Sequence, residues 1–315
     1  MTPAPDAPVH VSIVLATNRN SPYLEPALQS VRDQTYPHWD LLIVDNGIPD
    51  PAAVAASIDD DPRMSMIATD PAATAGQSRN VGVARVTGEL VTILDDDDMW
   101  RADRLERHVA EHTAHPTAPA SFSAYRHMDA EGRPFGVDWR SRQTPASDIL
   151  EGAAETPLGP TLVMRRDDYL AIGGFSPEIP ILVDFELALR LALRGDLRYI
   201  DEPLVDYRRH TTNMTSTAPA NVRLRRAVMD AMIDRQAWAA AGRRQPATAE
   251  LFRRRQRRFR RDQAAGIGVG VYRQLRRGQV ADAGRDVAWA LRHAPTAFLA
   301  SAASAPFRKL RGKAT

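Results

Sequence analysis

The chain has 315 residues and no cysteine, which excludes disulfides and thiolate metal sites and suits a reducing compartment. Its net charge of +2 conceals a division: residues 251–315 carry 14 Arg and 2 Lys against 3 Asp, a net +13, leaving −11 on residues 1–250. The opening MTPAPDAPVH has no signal-peptide character and no stretch approaches the ~20 apolar residues that span a bilayer, so a soluble or peripheral protein is expected.

The first 115 residues alternate strand and helix signals. Val11 to Leu15 is a short apolar run with β-branched residues and predicts a buried strand. Ser21 and Pro22 then open a helical pattern through Leu24, Leu28 and Val31, with Ser21 as N-cap and Pro22 at the first helical position. Leu41 to Val44 predicts a second buried strand, ending in the turn signature Asp45-Asn46-Gly47. Met64 to Ala68 follows as a third strand, Gly76 to Val86 as a helix, Glu89 to Leu94 as a fourth strand and Arg101 to His115 as a helix. This alternation predicts an α/β fold with a mostly parallel, doubly wound sheet.

Beyond residue 116 the pattern loosens. Ala120 to Met128 reads as a strand, Asp129 to Gly132 as a turn and residues 140–160 as a loop. Arg166 to Ile172 is a short helix closed by Gly173-Gly174, Val183 to Arg194 an amphipathic helix ended by Gly195, and Leu204 to Tyr207 the last strand. From about Ala220 only helical patterns remain, with Tyr272 to Gly278 and Val280 to His293 as an antiparallel pair. The Thr/Ser/Pro-rich stretch 211–219 places a boundary near residue 218, between a catalytic domain, 1–218, and a basic α-helical region, 219–315.

Four consecutive aspartates, Asp95 to Asp98, end the fourth predicted strand. Carboxylates this close repel one another unless a cation or a donor-rich loop answers them. In open α/β sheets ligands bind beyond the carboxyl ends of the strands, where one or two carboxylates and substrate phosphates can share a hard divalent ion. Acidic residues also stabilise a helix N-terminus, a second reading open for Asp98 and Asp97. Thr17-Asn18 and Asp45-Asn46 end the first two strands on the same expected sheet edge. The segment Gly76 to Gly82 adds Arg79 at a helix start, a natural partner for phosphates or base carbonyls.

The segments VSIVLATNRN (11–20), QTYPHWDLLIVDNG (34–47), GQSRNVGVARVTGELVTILDDDDMW (76–100), GGFSPEIPILVDFELALRL (173–191) and YRRH (207–210) together resemble family 2 of the glycosyltransferases, inverting enzymes of the GT-A fold. The resemblance implies a nucleoside-diphosphate-sugar donor, a divalent metal (Mn2+ or Mg2+) and transfer to an acceptor hydroxyl. It implies that Asp45 contacts the nucleobase, that Arg79 sits beside base and ribose, and that Thr17 and Asn18 line the donor site. Asp95 and Asp97 match the outer acids of the family's D-x-D motif, Asp97 as direct metal ligand and Asp95 as ribose or metal-water contact, with Asp96 between them as the interchangeable middle. Asp184 matches the catalytic base, Glu186 being the weaker candidate, and His210 falls where relatives place a histidine near diphosphate or metal. Four positions depart from the pattern: Val183 replaces the first acid of the usual pair, Asn46 replaces a frequent aspartate, and Ala16 and Asn18 stand where relatives contact the base. A uridine diphosphate sugar is the first expectation, with thymidine and guanosine forms open.

The leading expectation is therefore a hexosyltransferase of cell-surface glycan or glycoconjugate synthesis, acting on a glycan, lipid-linked, peptide or small-molecule acceptor. The basic tail, at Arg253 to Arg261 and Phe307 to Arg311, is expected to meet an anionic surface, which would make the protein cytoplasmic and peripheral on the inner face of the plasma membrane. The alternative is a nucleotide-sugar-binding protein that has lost turnover and docks a partner through its tail. Nucleic acid is not expected, because the arginines lack interleaved aromatics.

Overall fold

Short runs of Val, Ile and Leu bounded by turn residues form the strands of one sheet. The computed structural model describes residues 8–179, 181–210 and 219–311; the boundary expected near residue 218 lies outside them. Contacts divide the chain into two units, one of Met1–Ile149 with Ala154–Met214, the other of Leu150–Ala153 with Thr215–Thr315.

In the first unit β1 (Val11–Thr17), α1 (Leu24–Arg32), β2 (Trp39–Asp45), α2 (Pro51–Ile58), β3 (Met64–Ala68), α3 (Ala75–Arg85) and β4 (Leu90–Ile93) alternate in chain order. β1 pairs in parallel with β2 and β4, and β2 with β3. β1, β2 and β4 are buried along most of their length, which is why they read as continuous apolar runs rather than alternating ones. Next come β5 (Met99–Trp100), α4 (Arg104–Ala114), β6 (Ala120–Met128), β7 (Pro134–Trp139), α5 (Ala146–Glu151), β8 (Leu162–Arg165), α6 (Arg166–Ala171), α7 (Val183–Ala192) and β9 (Arg198–Arg208). The strand order is β3-β2-β1-β4-β8-β6-β9-β5, with β7 on β6. β8 lies antiparallel to both β4 and β6, so β6 and its parallel partner β9 run the same way as β1, β2 and β4. With β3, parallel to β2, six carboxyl ends thus meet along one edge.

Several expectations are corrected. α1 begins at Leu24 after Tyr23, and the Ser21 hydroxyl accepts from the Tyr23 amide at 3.2 Å, closing a turn instead of capping the helix. Asp98 is no helix cap: Met99 and Trp100 pair with β9, and α4 starts only at Arg104, preceded by Asp103. The expected loop 140–160 holds α5 and a 3₁₀ turn at Gly159–Thr161, and the four residues of β8 are too few for a periodic signal.

α4 packs an unusual polar stripe. Arg104, His108 and His112 recur at four-residue spacing, one helix face, and all three are buried. His108 Nδ1 meets the Ser121 hydroxyl at 2.7 Å, and His112 Nε2 donates to the Val163 carbonyl at 3.2 Å. Arg104 stacks on Trp100 at 4.1 Å and donates to the Pro160 carbonyl at 2.9 Å. Burial lowers all three: Arg104 to about 9, His112 to about 4, and His108 well below the usual histidine range.

The second unit is helical, with α8 (Pro219–Gly242), α9 (Pro246–Arg276), α10 (Val280–His293) and α11 (Pro295–Arg311). The expected hairpin is extended: Tyr272 belongs to the end of the 31-residue α9, which turns at Gly278 into α10. Three glycines inside α9, each costing about 1 kcal/mol against alanine, do not break it. One of them, Gly268, is where α11 approaches: a Cβ there would stand 2.7 Å from the Phe298 carbonyl oxygen. Ala264, Ala290 and Phe298 form this unit's small core, beside a buried Arg226–Asp286 pair at 2.7 Å.

Because His108 and His112 are held neutral, their folded pKa values lie below the unfolded value near 6.5, and the unfolded chain takes up protons first. Their stabilisation is complete at neutral pH and declines as pH falls through about 6.5 toward 4, by up to about 1.4 kcal/mol per pH unit per histidine. Melting temperature measured from pH 7.5 to 5 falls more steeply in the wild type than in His112→Gln; equal slopes would contradict this reading.

Candidate active site

The aspartate run emerges from β4 at the edge where six strands end, and its four carboxylates are answered by a set of partners in which only Arg19 is shared. Asp95 pairs with Arg79, at the start of α3, at 2.5 Å. Asp96 is buried; it accepts the Thr17 hydroxyl at 2.5 Å and two Arg19 nitrogens at 2.9 and 2.5 Å. Asp97 Oδ2 contacts His210 Nε2 at 2.9 Å and Arg19 at 3.1 Å. Asp98 is buried and accepts the Arg208 backbone amide at 2.9 Å. Asp96 is therefore not an interchangeable middle residue: it ties the end of β1 to the end of β4.

Electrostatics follow from this crowding. Burial pushes Asp95 above the usual carboxylate range against the pull of Arg79, and the charges of Asp97, Asp96 and Asp184 push it further. Burial, then Asp95 and Asp97, hold Asp98 well above that range, while its Oδ2 finds no hydrogen-bond partner among the described residues. Hydrogen bonding to Asp96, assisted by Asp97, keeps Arg19 more firmly protonated than usual.

The base candidate sits on α7, entered through Leu182 in the left-handed region at φ 62°. Asp184 Oδ2 accepts the Gly159 amide at 3.1 Å, and a Cβ on Gly159 would lie only 2.6 Å from the Asp184 Cβ. Arg104 bonds the next carbonyl, Pro160, so the turn beneath Asp184 is fixed from the protein interior. Glu186 is buried and pairs with Arg190 at 2.6 Å, which makes it a structural member of α7.

The residues expected on the nucleoside side lie on the same edge. Asp45 Oδ1 accepts the amides of Gly47 and Ile48 at 2.8 and 2.7 Å, shaping the turn after β2. Thr17 is buried on Asp96, whereas Asn18 is exposed one residue further. Asn46 donates to the carbonyls of Asp70 and Ala73 and accepts from the Ser78 hydroxyl. An aspartate there could not donate to two carbonyls, which accounts for the departure noted in the sequence.

Sequence reasoning missed Arg19, Arg208, Gly159 and Arg104. Arg208 donates to the Asp97 carbonyl at 2.8 Å and stacks on Tyr23 at 4.4 Å, joining β9 to the aspartate run and to the start of α1. Four crowded carboxylates demand nearby cations, and that demand is the signal that could have singled out Arg19 and Arg208.

A divalent ion fits this donor set in part. A carboxylate oxygen and an imidazole nitrogen 2.9 Å apart suit one edge of a manganese or magnesium shell. No group of three such side chains among the described residues could hold a metal alone, so diphosphate oxygens would have to complete the shell.

Comparison with known proteins decides the family. The model of "Glycosyl transferase family 2" matches residues 12–171. The chain belongs to that family. It is a glycosyltransferase with a GT-A-type domain. TuaG of Bacillus subtilis, a glycosyltransferase assigned to teichuronic acid biosynthesis, is 27% identical over 211 residues, covering 65% of this chain and 81% of TuaG. WfgD of Escherichia coli, a UDP-Glc:alpha-D-GlcNAc-diphosphoundecaprenol beta-1,3-glucosyltransferase, is 28% identical over 100 residues, 32% of this chain and 40% of WfgD. The crystal structure of S. aureus TarS 1–349 in complex with UDP-GlcNAc superposes with a TM-score of 0.57 at 15% identity, covering 71% of this chain and 66% of that one.

The close approach under Asp184 gives a direct test. Gly159→Ala must displace Asp184 by several tenths of an ångström or more, and a misplacement near 1 Å costs about 100-fold in rate. Transfer by Gly159→Ala falls at least tenfold while nucleoside-diphosphate affinity stays within about twofold. Unchanged transfer would show that the turn does not position the base.

Proposed function

We propose that this chain moves a hexosyl unit from a nucleoside-diphosphate sugar, a uridine diphosphate sugar in the first place, to a hydroxyl of a cell-surface glycan or its lipid-linked precursor, with inversion. The observation that carries the reading is the aspartate run at the end of β4, where Asp95 meets Arg79, Asp96 meets Arg19 and Asp97 meets His210, with the charge of Asp184 acting on Asp95. The surface-polymer relatives support the acceptor class, and the UDP-GlcNAc held by TarS supports the donor class.

In this account the acceptor oxygen attacks the anomeric carbon as the bond from that carbon to the diphosphate oxygen breaks. Asp184 takes the acceptor proton, because an attacking hydroxyl needs a base within hydrogen-bond reach. Asp45 and Arg79 orient the nucleoside, with Thr17 and Asn18 bordering it and Asp95 facing the ribose. Asp97 and His210 would hold the divalent ion, whose contribution is to neutralise charge on the leaving diphosphate. Arg19 sits on the same carboxylates and keeps them paired until the donor arrives.

No described helix is long and apolar enough to cross a membrane. We assign membrane contact instead to the basic helical region, since each Lys or Arg near an anionic surface adds about 1 kcal/mol. In this reading the enzyme works on the inner face of the plasma membrane, beside lipid-linked acceptors.

Manganese-dependent release of nucleoside diphosphate from UDP-, TDP- and GDP-sugars tests the reading. Asp184→Asn lowers transfer by about 10²- to 10⁴-fold with UDP affinity retained. Full transfer by Asp184→Asn would remove it as the base, and no release from any donor would favour a binding protein.

A further inference from the structure

The second unit contains a pocket of about 400 Å³ whose walls are Arg254, Arg257, Arg258, Arg261 and Glu151. The four arginines follow the spacing i, i+3, i+4, i+7 on α9, within about 100° of arc at 3.6 residues per turn. A second element borders this face, the segment Leu150–Ala153 of the same unit, while the four arginines stay exposed. Gly152 makes that approach possible: its φ of +73° is in the left-handed region, and a Cβ would stand 3.2 Å from Arg255 Cγ and 3.7 Å from Arg258 Cδ. The backbone therefore lies directly on the arginine stems.

Charge is unbalanced inside this group. Glu151 meets Arg254 at 3.4 Å, and Glu250 meets Arg257 at 2.7 Å and Arg254 at 3.6 Å. Two carboxylates thus face four guanidiniums, an excess of two positive charges. Asp262 contacts Arg261 at 3.3 Å, but both side chains are over 60% exposed and such pairs contribute little. Guanidinium forks match the oxygens of a phosphate group, and the excess matches a dianion.

The same helix indicates where that anion comes from. Tyr272 and Leu275 lie 18 and 21 residues beyond Arg254, which returns them to the same angular sector, and they are 56% and 48% exposed. Exposed aromatic and aliphatic side chains in line with a cationic cluster suit the headgroup boundary of a bilayer.

We propose that this pocket is a phosphate-monoester or diphosphate clasp for a lipid headgroup, the point at which the helical region grips the membrane. The assignment deepens the membrane reading above and rests on it. It differs from diffuse attraction, because a clasp distinguishes dianionic headgroups from equal charge carried on monoanions.

The test uses the full chain with phosphatidylcholine vesicles containing phosphatidic acid, against vesicles of equal surface charge made with phosphatidylglycerol. The wild type prefers phosphatidic acid. Arg257→Ala/Arg258→Ala loses about 30-fold in binding to it, whereas Arg243→Ala/Arg244→Ala, with the same charge removed outside the pocket and away from Tyr272 and Leu275, loses about fivefold or less. Nucleoside-diphosphate release by both variants stays at the wild-type rate. Equal losses in the two variants, or no preference between vesicles, would overturn the clasp and leave the membrane reading standing. Failure to bind any anionic vesicle would overturn both. Binding of inorganic pyrophosphate without vesicle binding would assign the pocket to a free polyphosphate and overturn the lipid source.

Discussion

Repulsion among four adjacent carboxylates is the constraint around which the catalytic unit is arranged. Two unit charges at 4 Å interact by about 4 kcal/mol at an effective dielectric of 20, so the run could not stand without partners. Each partner comes from a different place in the chain: Arg79 from α3, Thr17 and Arg19 from the end of β1, and Arg208 and His210 from the end of β9. Balancing the charge therefore also fastens the strand ends together. In the proposed function the same edge receives a diphosphate, itself an anion, and the cations that relieve the repulsion stand beside it.

Asp184, the proposed base, is positioned by a different device. Asp184 rests on a turn that has no side chain at Gly159 and is held from below by Arg104, a buried arginine bonded to carbonyls rather than carboxylates. Burial without a counter-charge lowers the Arg104 pKa to about 9. Burying such a group costs stability, and the Pro160 carbonyl it holds is part of the turn under Asp184. Structural cost is concentrated at the turn under the proposed base.

Much of this was legible in the sequence. β1 and β2 fall on their apolar runs because both faces of those strands are covered, and the aspartate run marks the proposed active edge by its charge alone. What stayed hidden depended on tertiary pairing. β5 is two residues long and exists only through its ladder to β9, so it could not be told from a helix start. Asp96 looked replaceable until Thr17 and Arg19 were seen to share it, and Glu186 looked like a spare acid until Arg190 closed on it. α9 runs through three glycines because helix packing, not local propensity, sets its length.

The central claim is that the run at the end of β4 receives the donor diphosphate together with a divalent ion. UDP affinity measured by calorimetry with and without manganese, in the wild type and in Asp97→Asn, tests this most directly. The account predicts that manganese tightens UDP binding by about tenfold or more in the wild type and by less than about twofold in Asp97→Asn, since one lost charged ligand is worth about 1.4 kcal/mol or more. Equal UDP affinity under all four conditions would contradict it.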